Sequence, residues 1–184
     1  MQRWQQTTTC SVRRKGAVMA VIPDLRERLV GAWRLQSYLA TPVDGGEPFA
    51  PLGSNPQGLI MYTSDGYMSA QLSTRDREGF SSGDWFDGTT DEYVAEASTY
   101  IAYSGPYRVD DLTGVLTHTM EVSLFPNWTG QTQVRTVELD GDTLTLGTAV
   151  PLRSGGRTVM ARLVWRRAST SQAGSPTAAE KVKT

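Results

Sequence analysis

The sequence predicts an all-β fold, an eight-stranded antiparallel barrel closed on itself and interrupted once by a helix. Three observations predict it. Turn signals at Asp44-Gly45-Gly46, Ser64-Asp65-Gly66, Asp110 to Gly114, Asp140-Gly141 and Ser154-Gly155-Gly156 punctuate the chain, and such Gly-bearing groups close hairpins. Eight runs of strand composition lie around these turns, and eight antiparallel strands dispose of their edges by closing into a barrel. One stretch, 90–104, has neither Gly nor Pro and sets Val94, Ala97 and Ile101 at helical spacing.

In chain order, residues 1–23 form a leader with Arg3, Arg13, Arg14 and Lys15 and no acid. Trp4, Thr7 to Thr9 and Val18 to Ile22 suit a lid, plug or extra strand, and an unstructured leader is the alternative. Strands follow at 31–42, 57–63 and 67–73. The next stretch, 73–88, is charged and Gly-bearing, yet holds Phe80, Trp85 and Phe86, which suits a rim or lid loop. The helix over 90–104 is capped by Thr89 or Thr90, with Asp91 and Glu92 in its first turn. Strands at 105–110, 114–123, 131–139, 142–149 and 157–167 complete the barrel, whose domain spans 24–167. From 168 to 184 the chain is rich in Ser, Thr, Ala and Gly without apolar periodicity, the composition of a disordered tail.

Residue types narrow the chemistry. The chain has 18 basic and 19 acidic residues, a balance unlike that of a nucleic-acid-binding or polybasic membrane protein. Its only lysines are Lys15, Lys181 and Lys183, so the barrel offers no Schiff-base lysine. Cys10 is the one cysteine and His118 the one histidine, which excludes an intrachain disulfide, a Cys-based zinc site and a multi-histidine metal site. The apolar run from Ala17 to Ile22 is shorter than the core of a secretion signal, roughly 7 to 15 residues. No stretch approaches the roughly 20 apolar residues of a membrane span. The expected location is the cytoplasm, and the expected partner is a small molecule, with a homodimer possible.

Strand alternation nominates a lining. In 114–123 the more apolar face is Leu116, His118, Met120 and Val122, so His118 points inward. In 67–73 the same argument turns Met68, Ala70 and Leu72 inward and Tyr67, Ser69 and Gln71 outward. Binding barrels accept polar lining, so Gln71 and Glu121 are reserve catalytic candidates. His118 is either a core histidine satisfied by a neighbour or a donor to substrate, since a neutral imidazole suits both. Tyr62, Trp85, Phe86, Tyr100, Tyr103, Phe125 and Trp128, with Met68 and Met120, are candidates for an apolar mouth and lining. A hydrolytic triad lacks its Gly-x-Ser-x-Gly elbow, and Asp84 and Asp87 sit in a charged loop unsuited to a glycosidase pair.

The first strand opens Gly31-Ala32-Trp33-Arg34, which resembles the Gly-x-Trp motif of lipocalins and the wider calycins. The resemblance implies that Gly31 and Trp33 close one end of the barrel, with Arg166 or Arg167 across the indole. Arg166 is the nominee. Three further segments, 58–72, 100–107 and 117–128, resemble the bacterial lipocalin-like domain family over about residues 24–167. The leader and length are similar to the Diels-Alderases that form spiro-linked tetramate or tetronate polyketides, most closely those of the pyrroindomycin-pathway spirotetramate cyclase type. This resemblance implies a cofactor-independent cyclase that folds a linear polyketide inside the barrel. The leader, with Trp4, would be its lid. A non-catalytic carrier of an apolar small molecule is the alternative. Diels-Alder closure needs no nucleophile, metal or redox group, only orientation and a hydrogen bond that polarises the reacting alkene.

Overall fold

The computed structural model describes residues 22–169. The expected lid with Trp4, and the tail from 170, lie outside the described residues. In order the elements are a short helix α1 (Leu25–Leu29), β1 (Gly31–Pro42), β2 (Gln57–Tyr62), β3 (Tyr67–Ser73), a helix α2 (Thr90–Ser98), β4 (Tyr100–Val109), β5 (Leu116–Thr119), β6 (Val122–Ser123), a 3-10 turn (Pro126–Trp128), β7 (Thr132–Asp140), β8 (Thr143–Thr148), β9 (Leu152–Ser154) and β10 (Arg157–Arg167). Eight of the strands pair in the order β1, β2, β3, β4, β5, β7, β8, β10, and β10 returns to β1 from Trp33 opposite Arg167 to Pro42 opposite Val159. The barrel is closed, and every pairing is antiparallel. The short β6 adds to β4 and β9 to β10.

Alternation sorts the side chains as the pleat requires. On β3, Met68, Ala70 and Leu72 are buried while Gln71 is exposed. The interior joins Trp33, Tyr62, Met68, Tyr103, Tyr107 and Met120 in one contiguous core. Among the described residues no helix is long and apolar enough to cross a membrane.

Three elements differ from the sequence expectation. The helix expected to run to 104 stops at Ser98, and Tyr100 opposite Ser73 begins β4. No residue of α2 is buried, so no apolar face holds the helix together further on, whereas Ile101 gains a full ladder opposite Leu72. The Ser98 hydroxyl donates to the Val94 carbonyl and the Thr99 hydroxyl to the Ala95 carbonyl, which ends the last turn. At its other end Thr89 forms a reciprocal capping box with Glu92.

The strand expected over 114–123 is broken in two. Met120 N–H donates to Gln131 O at 2.9 Å and Glu121 N–H to Ser104 O at 2.9 Å, so consecutive residues serve opposite neighbours. This bulge reverses the alternation, and Val122, expected inside, is 70% exposed. Gly105 makes the bulge possible. A Cβ there would stand 2.1 Å from Thr119 O, at a φ of +155°.

The third difference is small: the short helix α1 and the strand β9 had no counterpart in the sequence reading, and Ala168 N–H still donates to Ala32 O at 2.8 Å. The barrel therefore extends one residue into the expected tail.

Candidate functional site

The two ends of the barrel are built differently. At the closed end Trp33 is wholly buried and its indole N–H donates to Leu29 O at 2.8 Å. The guanidinium over its ring, 4.0 Å from the centroid, belongs to Arg167. Arg167 also donates to Val30 O at 3.0 Å and Arg28 O at 2.6 Å. The nomination of Arg166 is thus corrected by one residue: Arg166 pairs with Arg34 on the alternate phase of the strand, and only Arg167 stands opposite Trp33. Gly31 lies under the same guanidinium, where a Cβ would be 3.2 Å from Arg167 Nη1.

Midway up, four strands contribute inward polar side chains. His118 on β5 and Tyr62 on β2 meet at 2.9 Å between Nε2 and the hydroxyl, both fully buried. His118 Nδ1 has no hydrogen-bond partner among the described residues. Tyr107 packs edge-on against Tyr62, 4.9 Å between ring centres, and donates to Thr63 O. Arg135 on β7 is 6% exposed and lies one diagonal step from His118 across the β5 and β7 ladder, where Leu116 faces Arg135 and His118 faces Gln133. Its Nη2 donates to the Tyr103 hydroxyl at 3.4 Å.

Charge states follow from burial. Desolvation first, and then the Arg135 charge, hold the His118 imidazole well below its ordinary value of 6.5, so the ring is neutral at pH 7. Burial likewise raises the Tyr62 phenol well above its ordinary range, and raises that of Tyr38. Neither phenol is ionised at pH 7. Arg135 is the fixed cation among them.

Above this layer the barrel opens. A cavity of about 620 Å³ is bounded by Phe125, Trp128, Val150 and Leu152 at the rim, with Arg135 and Thr148 reaching it from within. A second cavity of about 190 Å³ shares Phe125, Trp128, Leu152 and Arg153 with the first and adds Tyr38 and Tyr100. Trp128 sits edge-on between two rings, 5.6 Å from Phe125 and 5.8 Å from Tyr103. Phe125, half exposed, and Trp128 form an apolar lip.

The expected site residues scatter across these layers. Tyr100, Phe125 and Trp128 line the mouth, and Tyr103 lies beneath it beside Arg135. Tyr62, Met68 and Met120 belong to the packed core below and line neither mouth cavity. His118 also lines neither cavity and stands behind Tyr103, 6.4 Å between ring centres. Gln71 is on the outer face, where it accepts from the Tyr100 hydroxyl, and Glu121 is exposed on the bulge. Neither carboxamide nor carboxylate faces the interior, because strand alternation turns Gln71 away from Ala70 and Leu72 and turns Glu121 away from buried Met120. Trp85 and Phe86 are 72% and 83% exposed, lie tilted against one another with ring centres 5.0 Å apart and contribute to neither mouth cavity. Their loop is instead tied to α2, by Ser81 N–H to Glu92 and Gly88 N–H to Tyr93.

Arg135 and Tyr38 were missed. The signal existed for Arg135, since it shares the phase of Val137 and Leu139 on β7.

Residues 30–168 match the model of a family described as a lipocalin-like domain. The chain is also similar to a protein of Aspergillus oryzae named as a 4'-hydroxy-3'-methoxypropiophenone carrier protein, at 34% identity over 106 residues, which span 54% of this chain and 96% of that protein.

Proposed function

The chain belongs to the lipocalin-like domain family, and we propose that its barrel takes an apolar small molecule at the mouth and closes a ring on it, as a cofactor-independent cyclase. The substrate class is a linear tetramate or tetronate polyketide with an exocyclic alkene, and the product is a spiro-linked cyclohexene. The observation that carries this reading is the cavity of about 620 Å³ that sets the apolar side chains of Phe125, Trp128, Val150 and Leu152 beside the buried cation Arg135. That volume lies in the usual range for small-molecule sites, roughly 300 to 1,000 Å³.

In an intramolecular Diels-Alder closure the two π bonds of a diene and one of an alkene become two new C–C σ bonds and one new π bond. Nothing is lost, and no proton needs a base. The protein's part is to hold the chain folded with the reacting carbons in contact, which removes conformational freedom from the barrier. A donor on the ring carbonyl withdraws electron density from the alkene joined to it. Arg135, which reaches the cavity, takes the donor role that the sequence reading gave to His118. His118 and Tyr103 act behind it as positioning residues.

A second reading is favoured by the A. oryzae relative, which is named as a carrier: the same mouth would hold an aromatic ketone and release it unchanged. A time course of the purified protein with a linear dienyl tetramate separates the two. An isobaric product of changed retention, formed as one stereoisomer faster than in buffer, supports the cyclase. Saturable binding with the ligand recovered intact supports the carrier, and absence of both overturns each. The leader, residues 1–23, is proposed as the lid. Deletion of 1–21, which stops short of Ile22 packed on the core, is expected to preserve the fold and lower turnover, and full turnover would remove the lid from the reading.

A further inference from the structure

Arg135 is 6% exposed and, among the described residues, has no counter-charge. Among the described residues the ion pairs are Arg157 with Asp44, Arg162 with Glu138 and Arg167 with Asp142, all partly exposed. No carboxylate of the described residues stands within 4.0 Å of Arg135. Its one side-chain hydrogen bond, to the Tyr103 hydroxyl, is long at 3.4 Å, against five N–H donors that a guanidinium carries. A buried charge left without a partner costs stability, and arginine cannot discard its proton to escape that cost. The groups around it supply no anion: His118 on β5 is neutral, and Tyr38 on β1 and Tyr62 on β2 keep their protons. His118 Nδ1, on the diagonal neighbour of Arg135, is buried without a hydrogen-bond partner among the described residues.

We infer that the floor of the mouth is an oxyanion seat, and that the ligand enters headfirst as an organic anion, the enolate, phenolate or carboxylate of an otherwise apolar molecule, with its charge on Arg135. The inference rests on the mouth being the binding site proposed above and adds the charge state and orientation of what it binds. The guanidinium fork matches two oxygens of a delocalised anion, and Phe125, Trp128 and Leu152 then cover the apolar remainder. Arg153 at the rim, exposed and bonded to Gly156 O at 2.7 Å, adds positive potential at the opening.

The test uses the full chain and two probes of one shape, a 3-acyl tetramic acid with a short alkyl chain and its O-methyl enol ether, titrated calorimetrically at a pH where the acid is ionised. The acid is expected to bind at least roughly tenfold tighter, the difference of about one charged hydrogen bond. In Arg135→Met the preference is expected to vanish while the thermal midpoint holds or rises, because an uncompensated buried charge has been replaced by an apolar chain of similar length. A merely structural arginine would lower the midpoint on removal. Equal binding of the two probes by the unaltered protein overturns the oxyanion seat and leaves the mouth as a binding site. Binding of neither probe overturns both.

Discussion

The Tyr62 hydroxyl and His118 Nε2 lie 2.9 Å apart with no solvent on either side, joining β2 to β5 across the barrel interior. Among the described residues it is the one hydrogen bond of the imidazole, since Nδ1 has no partner there. Tyr62→Phe keeps the ring edge-on to Tyr107 and strips the imidazole of that bond. The expected loss is about 1–3 kcal/mol, that of a buried polar group left unsatisfied, measured by urea denaturation. Tyr62→Phe in a His118→Phe background is expected to cost far less, because no orphaned nitrogen remains.

His118 also sets a pH dependence. Its folded value is depressed below 6.5, so the unfolded chain binds the proton more readily. The stability that the neutral ring contributes is present above about pH 6.5 and is lost as pH falls through that value, with a slope of up to about 1.4 kcal/mol per pH unit. Glu92, held to about 2 by backbone N–H groups of Ser81 and Thr89, acts in a separate window: its contribution is present above its ordinary value of 4.5 and is lost between there and about 2. Denaturant midpoints for His118→Phe are expected to flatten only in the upper window.

Arg167→Ala removes the cation over Trp33 and two bonds to carbonyls at the closed end. It is expected to cost about 2 kcal/mol or more, whereas Arg166→Ala is expected to stay within about 0.5 kcal/mol. Thermal unfolding of the two variants side by side checks the assignment, and equal losses would refute it.

Gly105→Ala places a methyl group against Thr119 O. The bulge must open or the strand must shift, at an expected cost of about 3 kcal/mol or more. Loss of amide-exchange protection at Glu121, whose N–H is held by Ser104 O, is the local readout.

Trp128→Ala and Phe125→Ala are expected to weaken binding of an apolar probe about tenfold each, the effect of losing a large ring from a pocket wall. Trp85→Ala and Phe86→Ala are expected to leave it unchanged, since those rings line neither cavity. Fluorescence titration of the four variants distinguishes a mouth built on the 3-10 turn from one built on the loop before α2.

The barrel was legible in the sequence: strand count and antiparallel pairing follow from turn residues and period-two alternation, which are local, and the Gly31 and Trp33 end follows from the resemblance of that motif to the lipocalin one. The sequence also determined which faces turn inward, as long as the period was unbroken, and so buried Met68 and His118. Where one inserted residue changes the phase, as at Met120 and Glu121, alternation misplaces Val122. The end of α2 was not legible either, because Ile101 satisfies helix spacing and strand composition equally, and β3 decided between them. The site, by contrast, is a product of how the strands close around it. Aromatic character nominated Trp85, Phe86 and Phe125 alike, and ring closure brought only Phe125 to the mouth. The uncompensated charge on Arg135 depends on which carboxylates come near it from other strands, and distance between strands is a property of the closed barrel that no local pattern carries.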